Sequence, residues 1–350
     1  MIENKCPYFT KCGGCQIQGL PLANYCKKKM ETLTQTLSVL GNVNIQPIQT
    51  FPKGIRRKAN LQLDFGGKLG FHKLHTNEVV PILICPQLTN DINRLIIPLQ
   101  KLCKSFVKRS EGSIIITEVS NGITIHFANI NIMKLDLHKI KEFGEQHNKI
   151  IEITDDTETL FKRENPYLII NKVKVPFPPK TFIQPSIQSE QAIVAQVTEF
   201  AKSIKPRFTN IADIFCGLGL FSLSLKDLAE NISAFDCDEN AIKVLTKTAH
   251  SNHININAKT VDLFKHPIRT EKLNNFDLVV IDPPRDGADF QCTELSQSDV
   301  PAIIYVSCNP ETFTRDAKQL MAGNYKISSI KPIDQFPNTE HLEIVALFTK

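Results

Sequence analysis

A cysteine follows a run of apolar residues in the segment Ser307-Cys308-Asn309-Pro310. The apolar run, residues 302–306, is typical of a buried strand, and a parallel strand presents the side chains at its carboxyl end to the crevice where ligands bind. Cysteine reacts as a thiolate, and its ordinary pKa of about 8.5 leaves part of it ionised at neutral pH. Cys308 is therefore predicted to be a catalytic nucleophile rather than a buried structural cysteine.

Carboxylates stand near two other predicted strand ends. Asp282 opens the run Asp282-Pro283-Pro284-Arg285 directly after an apolar stretch, and Glu340 and Glu343 lie further downstream. In an open parallel sheet the carboxyl ends of neighbouring strands meet at one crevice. We therefore expect Cys308 and these carboxylates to share one site, in which a carboxylate is available as a general base.

A glycine-containing loop indicates a nucleoside cofactor. Gly217 and Gly219 follow the apolar run 211–215, and they let the backbone pass close under a ligand. Asp236 ends the next predicted strand, where a carboxylate can accept hydrogen bonds from both ribose hydroxyls. The loop lacks the third glycine of the dinucleotide fingerprint, so a dinucleotide fits less well. S-adenosylmethionine fits better, because it has a nucleoside, no phosphate and an electrophilic methyl group.

Three cysteines lie close together near the N-terminus, at Cys6, Cys12 and Cys15. Two glycines precede Cys15 and allow the sharp turn that brings neighbouring thiolates to one centre. A fourth ligand is needed, and Cys85, which is followed by a proline, is the best candidate. Four thiolates with no nearby histidine fit either a tetrahedral zinc ion or a 4Fe-4S cluster, and spacing alone does not choose between them. Reduced structural cysteines are the alternative.

The composition is that of an ordinary globular protein. The chain has 350 residues, of which 42% are hydrophobic and 22% charged. No apolar stretch approaches the roughly 18 residues that span a bilayer, and residues 1–5 lack the apolar core of a signal peptide. We therefore expect a cytoplasmic protein without membrane contacts, in which the ten cysteines are not a disulfide framework.

Positive charge is concentrated between residues 51 and 75. The net charge of the whole chain is only +5, but in this segment Asp64 is the single acidic residue. The basic residues of the segment are Lys53, Arg56, Arg57, Lys58, Lys68 and Lys73. Such a cluster suits a phosphate backbone, and a solvated basic face without a ligand is the alternative.

Two patterns of secondary structure divide the chain. In the first half, short β-like runs alternate with turns around one helix-like stretch, residues 135–147, which predicts a small α+β domain. Prolines near residue 178 break regular structure, and we place the boundary there. Residues 179–350 alternate strands and helices, which predicts an α/β doubly wound sheet. The amphipathic stretch 22–40 predicts a helix that packs on this catalytic part.

Taken together, these motifs resemble the RNA (uracil-C5)-methyltransferases, in particular the iron-sulfur members that modify 23S ribosomal RNA. The likeness covers nearly the whole chain. It rests on Cys6, Cys12, Cys15, Cys85, Thr181–Gln184, Asp213–Gly219, Asp282–Arg285, Ser307–Pro310 and Glu343. The resemblance implies a Rossmann-like S-adenosylmethionine-dependent methyltransferase sheet in residues 179–350. It also implies an α+β RNA-binding domain in residues 1–178 that carries the four cysteines.

The same resemblance implies roles for individual residues. Cys308 would be the nucleophile and Glu343 the base, with Glu340 as the local rival. The cofactor and uracil pocket would be lined by Gln184, Phe215, Asp236 and Asp282. The cysteines would hold a 4Fe-4S cluster. The partner would be RNA, with 23S ribosomal RNA favoured over a transfer RNA loop, and nothing requires more than a monomer.

Two features depart from the family pattern. Asn338 stands where the family usually has a histidine, which changes the surroundings of Glu343 but not its carboxylate. We also expect no β-barrel RNA-binding module ahead of the cysteines. RNA contacts are therefore expected from the domain that carries Lys53, Arg56, Arg57 and Lys58.

Two other classes of function compete with this interpretation. Adenine N6-methyltransferases also use an Asp-Pro-Pro motif, but an aromatic residue normally follows it, and Arg285 stands there in this chain. That chemistry would also leave Cys308 without a role. The non-enzymatic alternative is a zinc-bearing RNA-binding or ribosome-assembly factor with a degenerate methyltransferase fold.

Overall fold

The computed structural model describes residues 6–106 and 110–350. Residues 1–5, on which the expectation of no signal peptide depends, lie outside the described part. Within the described residues the chain forms two seven-stranded sheets and one separate hairpin. No helix in that part of the chain has both the length and the apolar character needed to cross a bilayer.

The first sheet belongs to the N-terminal half. Helix α1 (Leu22–Leu37) precedes it, and its strands are β1 (Lys58–Leu63), β2 (Leu69–His72), β3 (Val79–Pro81), β4 (Gly112–Val119), β5 (Gly122–Ala128), β6 (Ile150–Asp155) and β7 (Thr159–Lys162). Their spatial order is β3-β2-β1-β4-β5-β6-β7, and the pairs are antiparallel except β5 with β6. Helices α2 (Asn90–Lys104) and α3 (Leu137–Gln146) accompany the sheet, and their apolar residues share one core with it. The predicted α+β arrangement is present.

A hairpin connects the two halves. Its strands are β8 (Tyr167–Ile170) and β9 (Val173–Pro176). Regular structure stops near residue 178 as predicted, since β9 ends at Pro176, a position in a two-stranded hairpin where a proline is tolerated. The hairpin's buried side chains pack with those of the C-terminal sheet. Division of the chain at residue 178 stays a prediction.

The second sheet carries the predicted site. Its elements are α4 (Ile187–Ile204), β10 (Phe208–Ile214), α5 (Leu220–Ser224), β11 (Ala229–Asp236), α6 (Glu239–Ser251), β12 (Ile256–Thr260), α7 (Thr270–Leu273), β13 (Leu278–Ile281), α8 (Asp289–Ser296), β14 (Ala302–Ser307), α9 (Pro310–Ala322), β15 (Lys326–Ile333) and β16 (Glu343–Thr349). The order is β12-β11-β10-β13-β14-β16-β15, with parallel pairing up to β14 and antiparallel pairing beyond it. Strands β13 and β14 are buried along their whole length, as expected for parallel strands covered on both faces.

Helix α1 lies against the second sheet. Leu33 and Leu37 are almost completely buried, and they share a core with Phe313 and Leu320 of α9. The N-terminal segment therefore crosses to the C-terminal half before the chain returns to build the first sheet. This crossing places the cysteine segment close to the loop between β15 and β16.

Candidate active site

Cys308 lies directly beyond β14, at the carboxyl end of the parallel strands. A tight turn holds it there, because the backbone N–H of Asn309 donates to Oγ of Ser307 at 3.2 Å and that hydroxyl donates to the Asn309 carbonyl at 3.1 Å. The Asn309 side chain caps α9 by accepting from the backbone N–H of Glu311 at 3.1 Å. The thiol is half-buried at the strand tip. The sequence prediction of its position is correct.

The Asp-Pro-Pro-Arg loop packs against this turn. Nδ2 of Asn309 and Oγ1 of Thr312 both donate to the carbonyl of Arg285 at 3.1 Å. Asp282 lies at the end of β13, where its backbone N–H donates to the Ile214 carbonyl at 3.2 Å. The ends of β10, β13 and β14 are thus joined into one crevice.

Glu343 is brought to the same crevice by antiparallel pairing. Ser307 of β14 pairs with Ile344 of β16, so the next residue pair along the two chains is Cys308 and Glu343. The charge of Glu343 is one of the causes that raise the pKa of Cys308, as expected for neighbouring groups. Glu343 is only 2% exposed, so its carboxyl group is enclosed with the thiol. Glu340, the rival, is exposed, and it borders a separate cavity beside α1.

The acidic groups of the crevice oppose one another's ionisation. Burial, followed by the charges of Glu343 and Asp282, raises the pKa of Cys308 to about 12, and Arg285 opposes this shift. Burial and then the nearby Asp213 and Asp236 raise the pKa of Asp282 to about 8. Burial and Asp282 raise the pKa of Glu343 well above its usual value. The ligand-free site therefore holds Cys308 as a thiol at neutral pH.

The glycine loop has the conformation that a close ligand requires. Gly217 has φ +51°, and a side chain at this position would meet no atom within 4 Å, so the space beside it is open. Gly219 has φ +83°, and a Cβ there would come within 2.5 Å of Leu245, so this glycine is needed for packing. Phe215 also has a positive φ of 65°. Asp236 accepts hydrogen bonds of 2.8 Å from the backbone N–H groups of Gly217 and Asp238.

Two buried polar atoms fit a cofactor at this crevice. Oε1 of Gln184 and Oδ1 of Asp213 are buried and have no hydrogen-bond partner among the described residues. A buried polar atom without a partner is costly, so such atoms commonly mark a place where a ligand donates. The other oxygen of Asp213 accepts from the backbone N–H and the hydroxyl of Ser222, at 2.8 and 2.6 Å. These atoms suit the amino and hydroxyl donors of S-adenosylmethionine or the ring N–H of a uracil.

The four predicted cysteine ligands border one cavity in the N-terminal half. Cys6, Cys12, Cys15 and Cys85 are among the residues that line a space of about 200 Å³. Within the described residues, no group of three or more His, Cys, Asp or Glu side chains is arranged so that it could hold a metal ion. The structure therefore brings the predicted thiols to a common cavity without assembling them into a ligand set for a single ion.

Comparisons with known proteins agree with the geometry. The sequence pattern of the family "tRNA (Uracil-5-)-methyltransferase" matches residues 163–350, which is more than half of the chain. The chain belongs to this family. It is an S-adenosylmethionine-dependent RNA (uracil-C5)-methyltransferase, so the non-enzymatic assembly-factor alternative is set aside.

Individual relatives cover both halves of this methyltransferase. The chain is 28% identical over 368 residues to the 23S rRNA (uracil(1939)-C(5))-methyltransferase RlmD of Vibrio vulnificus, covering 100% of this chain and 82% of the relative. It is 30% identical over 365 residues to RlmD of Haemophilus parainfluenzae, covering 100% and 83%. Among solved structures, the Pyrococcus abyssi tRNA (uracil-54, C5)-methyltransferase in complex with S-adenosyl-L-homocysteine matches with a TM-score of 0.74 at 21% identity, over 99% of this chain and 88% of that one. The last comparison shows a shared fold.

The basic segment of the methyltransferase is arranged differently from the expected RNA-facing cluster. Arg57 is only 4% exposed, forms an ion pair with Glu190 and donates from Nε to the Gln184 carbonyl at 3.0 Å. Arg56 lies over the ring of Phe336 at 5.7 Å and lines the cysteine cavity. Nζ of Lys58 donates to the Thr181 carbonyl at 3.2 Å. The prediction that Arg57 binds RNA is therefore wrong, because its guanidinium group is buried and connects the N-terminal half to Glu190 and Gln184 of the C-terminal half.

Several residues near the site were not identified from the sequence. Gln335 is 2% exposed, and its Nε2 donates to Oε2 of Glu343 at 2.9 Å. Asp334 is buried against Tyr25 and Lys29 of α1. The sequence contains only a weak signal for them, because β15, the strand before Asp334, contains two lysines and two serines and lacks the continuous apolar run that precedes Asp282.

Proposed function

We propose that this enzyme methylates carbon 5 of a uridine in 23S ribosomal RNA through a transient covalent bond to Cys308. The observation that carries the proposal is the pairing of β14 with β16, which sets Cys308 opposite Glu343 with Asp282 beside them. The two RlmD relatives, aligned over the whole chain, support ribosomal RNA as the substrate. The family description names transfer RNA, which makes a transfer RNA uridine the second candidate.

The first chemical step belongs to Cys308. Carbon 5 of uracil is a poor nucleophile, so it must be activated before it can accept a methyl group. The Cys308 thiol first loses its proton to water, and addition of the resulting thiolate to carbon 6 then forms an S–C bond and moves the electrons of the C5–C6 double bond toward carbon 5 and O4. S-adenosylmethionine, when bound, would supply the electrophilic methyl group, and the bond from that methyl to the sulfonium sulfur would break as carbon 5 takes it up, leaving S-adenosylhomocysteine. Cys308 thus makes the uracil ring reactive without any change of oxidation state.

The second step needs a base. After methylation, carbon 5 carries both the methyl group and a proton. Glu343 removes this proton, the C5–C6 double bond forms again, and the bond between carbon 6 and sulfur breaks to release Cys308. The raised pKa of Glu343 makes its carboxylate a stronger base than an exposed glutamate. Glu340 is exposed and is not among the groups that raise the pKa of Cys308, which favours Glu343 for this role.

The remaining predicted residues shape the pocket. We assign Asp236 to the ribose hydroxyls, since each of its oxygens accepts a hydrogen bond of 2.8 Å from a backbone N–H and a carboxylate oxygen can accept a second one. Gln184 and Asp282 are assigned to the uracil edge or to the amino group of the cofactor. Phe215, whose ring lies 5.6 Å from that of Phe264, is assigned to packing against the cofactor.

RNA must present an unpaired uridine to this buried site. Flipping a base out of a helix costs a few kcal/mol, so a loop is the natural substrate. Residues 1–178 are proposed to bind RNA and residues 179–350 to carry out catalysis. An open groove of about 640 Å³ beside the cysteine segment supports this division. It is lined by amide, imidazole, aromatic and ammonium groups, including Asn60, Gln62, Phe71, His72, Lys73 and His75.

We propose that Cys6, Cys12, Cys15 and Cys85 hold a 4Fe-4S cluster. The four cysteines line a cavity of about 200 Å³, whereas one water needs only roughly 10–15 Å³, so the cavity has room for a group larger than a single ion. The donors are all sulfur, which suits iron-sulfur ligation. Nε and Nη2 of Arg56 are buried without a hydrogen-bond partner in the described residues, so a cation is available to balance thiolate charge. The cluster would supply structural cross-linking, since methyl transfer consumes no electron.

The covalent step is tested with RNA that carries 5-fluorouridine at the target position. Fluorine cannot be removed as a proton is, so the adduct should persist after methyl transfer and migrate as a protein–RNA species on a denaturing gel. Peptide mapping should place the bond at Cys308, and Cys308→Ser should form none. A wild-type preparation that methylates ordinary RNA but gives no adduct would overturn the mechanism.

The substrate and the cluster are tested separately. Mapping of 5-methyluridine in RNA from cells lacking this chain should show a loss in 23S ribosomal RNA, and a loss confined to transfer RNA would favour the second candidate. Anaerobically purified protein should contain about four iron and four sulfide per chain for a 4Fe-4S cluster. Cys12→Ser should lose them, and the control Cys26→Ser should not. Zinc in place of iron would refute the cluster.

A further inference from the structure

Glu343 depends on a chain of buried contacts that begins in the N-terminal helix. Nε2 of Gln335 donates to Oε2 of Glu343 at 2.9 Å. The other end of this amide is also fixed, because Oγ of Ser189 donates to Oε1 of Gln335 at 3.1 Å. Oγ of Ser186 lies 2.7 Å from Oγ of Ser189 and can donate to it in turn. When Glu343 is ionised, the Gln335 amide therefore has one orientation that satisfies both neighbours.

The residue before Gln335 is anchored to α1. Asp334 is 1% exposed and accepts a hydrogen bond of 2.7 Å from the Tyr25 hydroxyl. Its other oxygen forms an ion pair with Lys29, whose side chain is also buried. The backbone N–H of Asp334 donates to the Gln49 carbonyl at 2.8 Å. A buried carboxylate with these partners has little freedom to move.

Lys29 holds both ends of the loop that leads to Glu343. In addition to Asp334, its ammonium group donates to the His341 carbonyl at 2.7 Å. The tip of the loop is attached to the segment that follows the cysteines, since the backbone N–H groups of Gln16 and Ile17 donate to the Asn338 carbonyl at 3.0 and 2.9 Å. The backbone N–H of Asn338 donates to the Tyr25 hydroxyl at 3.0 Å. Residues 334–342 are therefore held by the N-terminal segment along their length.

We propose that Gln335 is the positioning residue for the base Glu343, and that Lys29 extends this support from helix α1 to the loop of residues 334–342. The inference rests on the proposed role of Glu343 in removing the carbon 5 proton. A base must reach the proton at hydrogen-bonding distance, and a misplacement of about 1 Å can lower a rate about 100-fold. The contacts of Gln335 and Lys29 act on Glu343 and not on Cys308, so their loss should affect proton removal more than adduct formation.

Three variants test this inference: Gln335→Met, Ser189→Ala and Lys29→Met. Gln335→Met keeps the side-chain length and removes the donor. We expect kcat to fall about 100-fold with KM for RNA nearly unchanged. With ordinary uridine, the variant should accumulate the methylated covalent adduct that the wild type releases. Its pH profile should shift toward higher pH, because loss of a hydrogen bond to the charged form raises the pKa of the base. Ser189→Ala, which frees the amide to turn, should give the same effects to a smaller degree.

Lys29→Met should also accumulate adduct, and the matched control is Lys27→Met on the same helix. Lys27 is exposed and pairs with Glu31 at 3.8 Å, so its replacement should change neither kcat nor adduct. Since Lys29→Met leaves Asp334 buried without its cation, Lys29→Met combined with Asp334→Asn provides a version that is easier to fold.

The outcomes separate this inference from the proposed function. If the wild type forms no adduct with 5-fluorouridine RNA, the covalent mechanism itself is wrong. If the wild type does form it, but Gln335→Met turns over at the wild-type rate, or loses adduct formation and turnover in equal proportion, then Gln335 does not position the base.

Discussion

Replacement of Glu343 by glutamine should make Cys308 more reactive while it abolishes turnover. The carboxylate of Glu343 is one of the groups that raise the pKa of Cys308 to about 12. Glutamine keeps the size of the side chain but has no charge. In the ligand-free enzyme, Glu343→Gln should therefore lower the pKa of the thiol and increase its rate of reaction with a small uncharged disulfide.

The size of the effect follows from the two properties of a thiolate. At pH 9.5 an ordinary thiol with a pKa of about 8.5 is about 90% ionised, whereas a pKa of about 12 leaves about 0.3%. The intrinsic reactivity of the thiolate rises about threefold per unit of pKa, so Cys308 should react about tenfold more slowly than an unperturbed thiol. If the charge of Glu343 raises the pKa of Cys308 by about 1–2, its removal in Glu343→Gln should increase the reaction rate of Cys308 about 3- to 10-fold. At low pH the effect should vanish, because Glu343 is then protonated and resembles glutamine.

The assay is mixed-disulfide formation at Cys308, followed by peptide mass spectrometry between pH 6.5 and 10. Glu340→Gln is the matched control, since Glu340 is exposed and is not among the groups that shift the pKa of Cys308. Glu340→Gln should follow the wild-type curve. An unchanged or slower reaction in Glu343→Gln at high pH, or an acceleration in Glu340→Gln, would refute the assignment of neighbours in the crevice.

Three further predictions concern stability and cofactor binding. Asp282 has a pKa of about 8 in the folded protein, above its unfolded value, so the native state binds an extra proton and the free energy of unfolding should fall as pH rises from about 4 to 8. Asp282→Asn should show a smaller fall in urea titrations. An equal fall would contradict the raised pKa of Asp282. Arg57→Met should lower the free energy of unfolding by about 3–5 kcal/mol, because it leaves the largely enclosed Glu190, whose side chain is 16% exposed, without its cation. Arg57→Met with Glu190→Leu should recover most of this loss in the same measurement. Gly219→Ala should be destabilising through contact with Leu245, whereas Gly217→Ala should cost only the roughly 1–2 kcal/mol of its left-handed backbone. Gly217→Ala should also weaken S-adenosylmethionine binding in calorimetry. Equal stability of the two variants would count against the packing of Gly219 on Leu245.

The position of the candidate active site could be predicted because parallel strands follow simple rules. Apolar runs before Gly217, Asp282 and Cys308 marked buried strands, and the carboxyl ends of such strands must meet at one edge. The family membership confirmed that the chain is a methyltransferase of this type. Individual roles for Cys308 and Glu343 stay predictions, which the trapping experiment addresses.

The contacts made at long range could not be predicted in the same way. Arg57 was counted with a basic surface because its neighbours in sequence are also basic, yet 133 positions separate it from Glu190, with which it pairs inside the protein. Lys29 pairs with Asp334, which lies 305 positions further along the chain, and the sequence around neither residue predicts that it is buried. The charge of a residue in the sequence thus indicates whether it will pair with an acid or a base, but not with which residue, because the fold determines which charged side chains are buried together.

Burial raises the pKa of both groups to which we assign the chemistry, the Cys308 thiol and the Glu343 carboxyl. A thiolate with a raised pKa is a stronger nucleophile toward carbon 6, and a carboxylate with a raised pKa is a stronger base toward the proton on carbon 5. The cost is that few molecules hold either group in its charged form, because Cys308, Asp282 and Glu343 oppose one another's ionisation. The hydrogen bond from Gln335 favours the charged form of Glu343, and Arg285 favours that of Cys308. The contacts from Gln335 and Arg285 therefore increase the small fraction of molecules in which Glu343 and Cys308 are charged and can react.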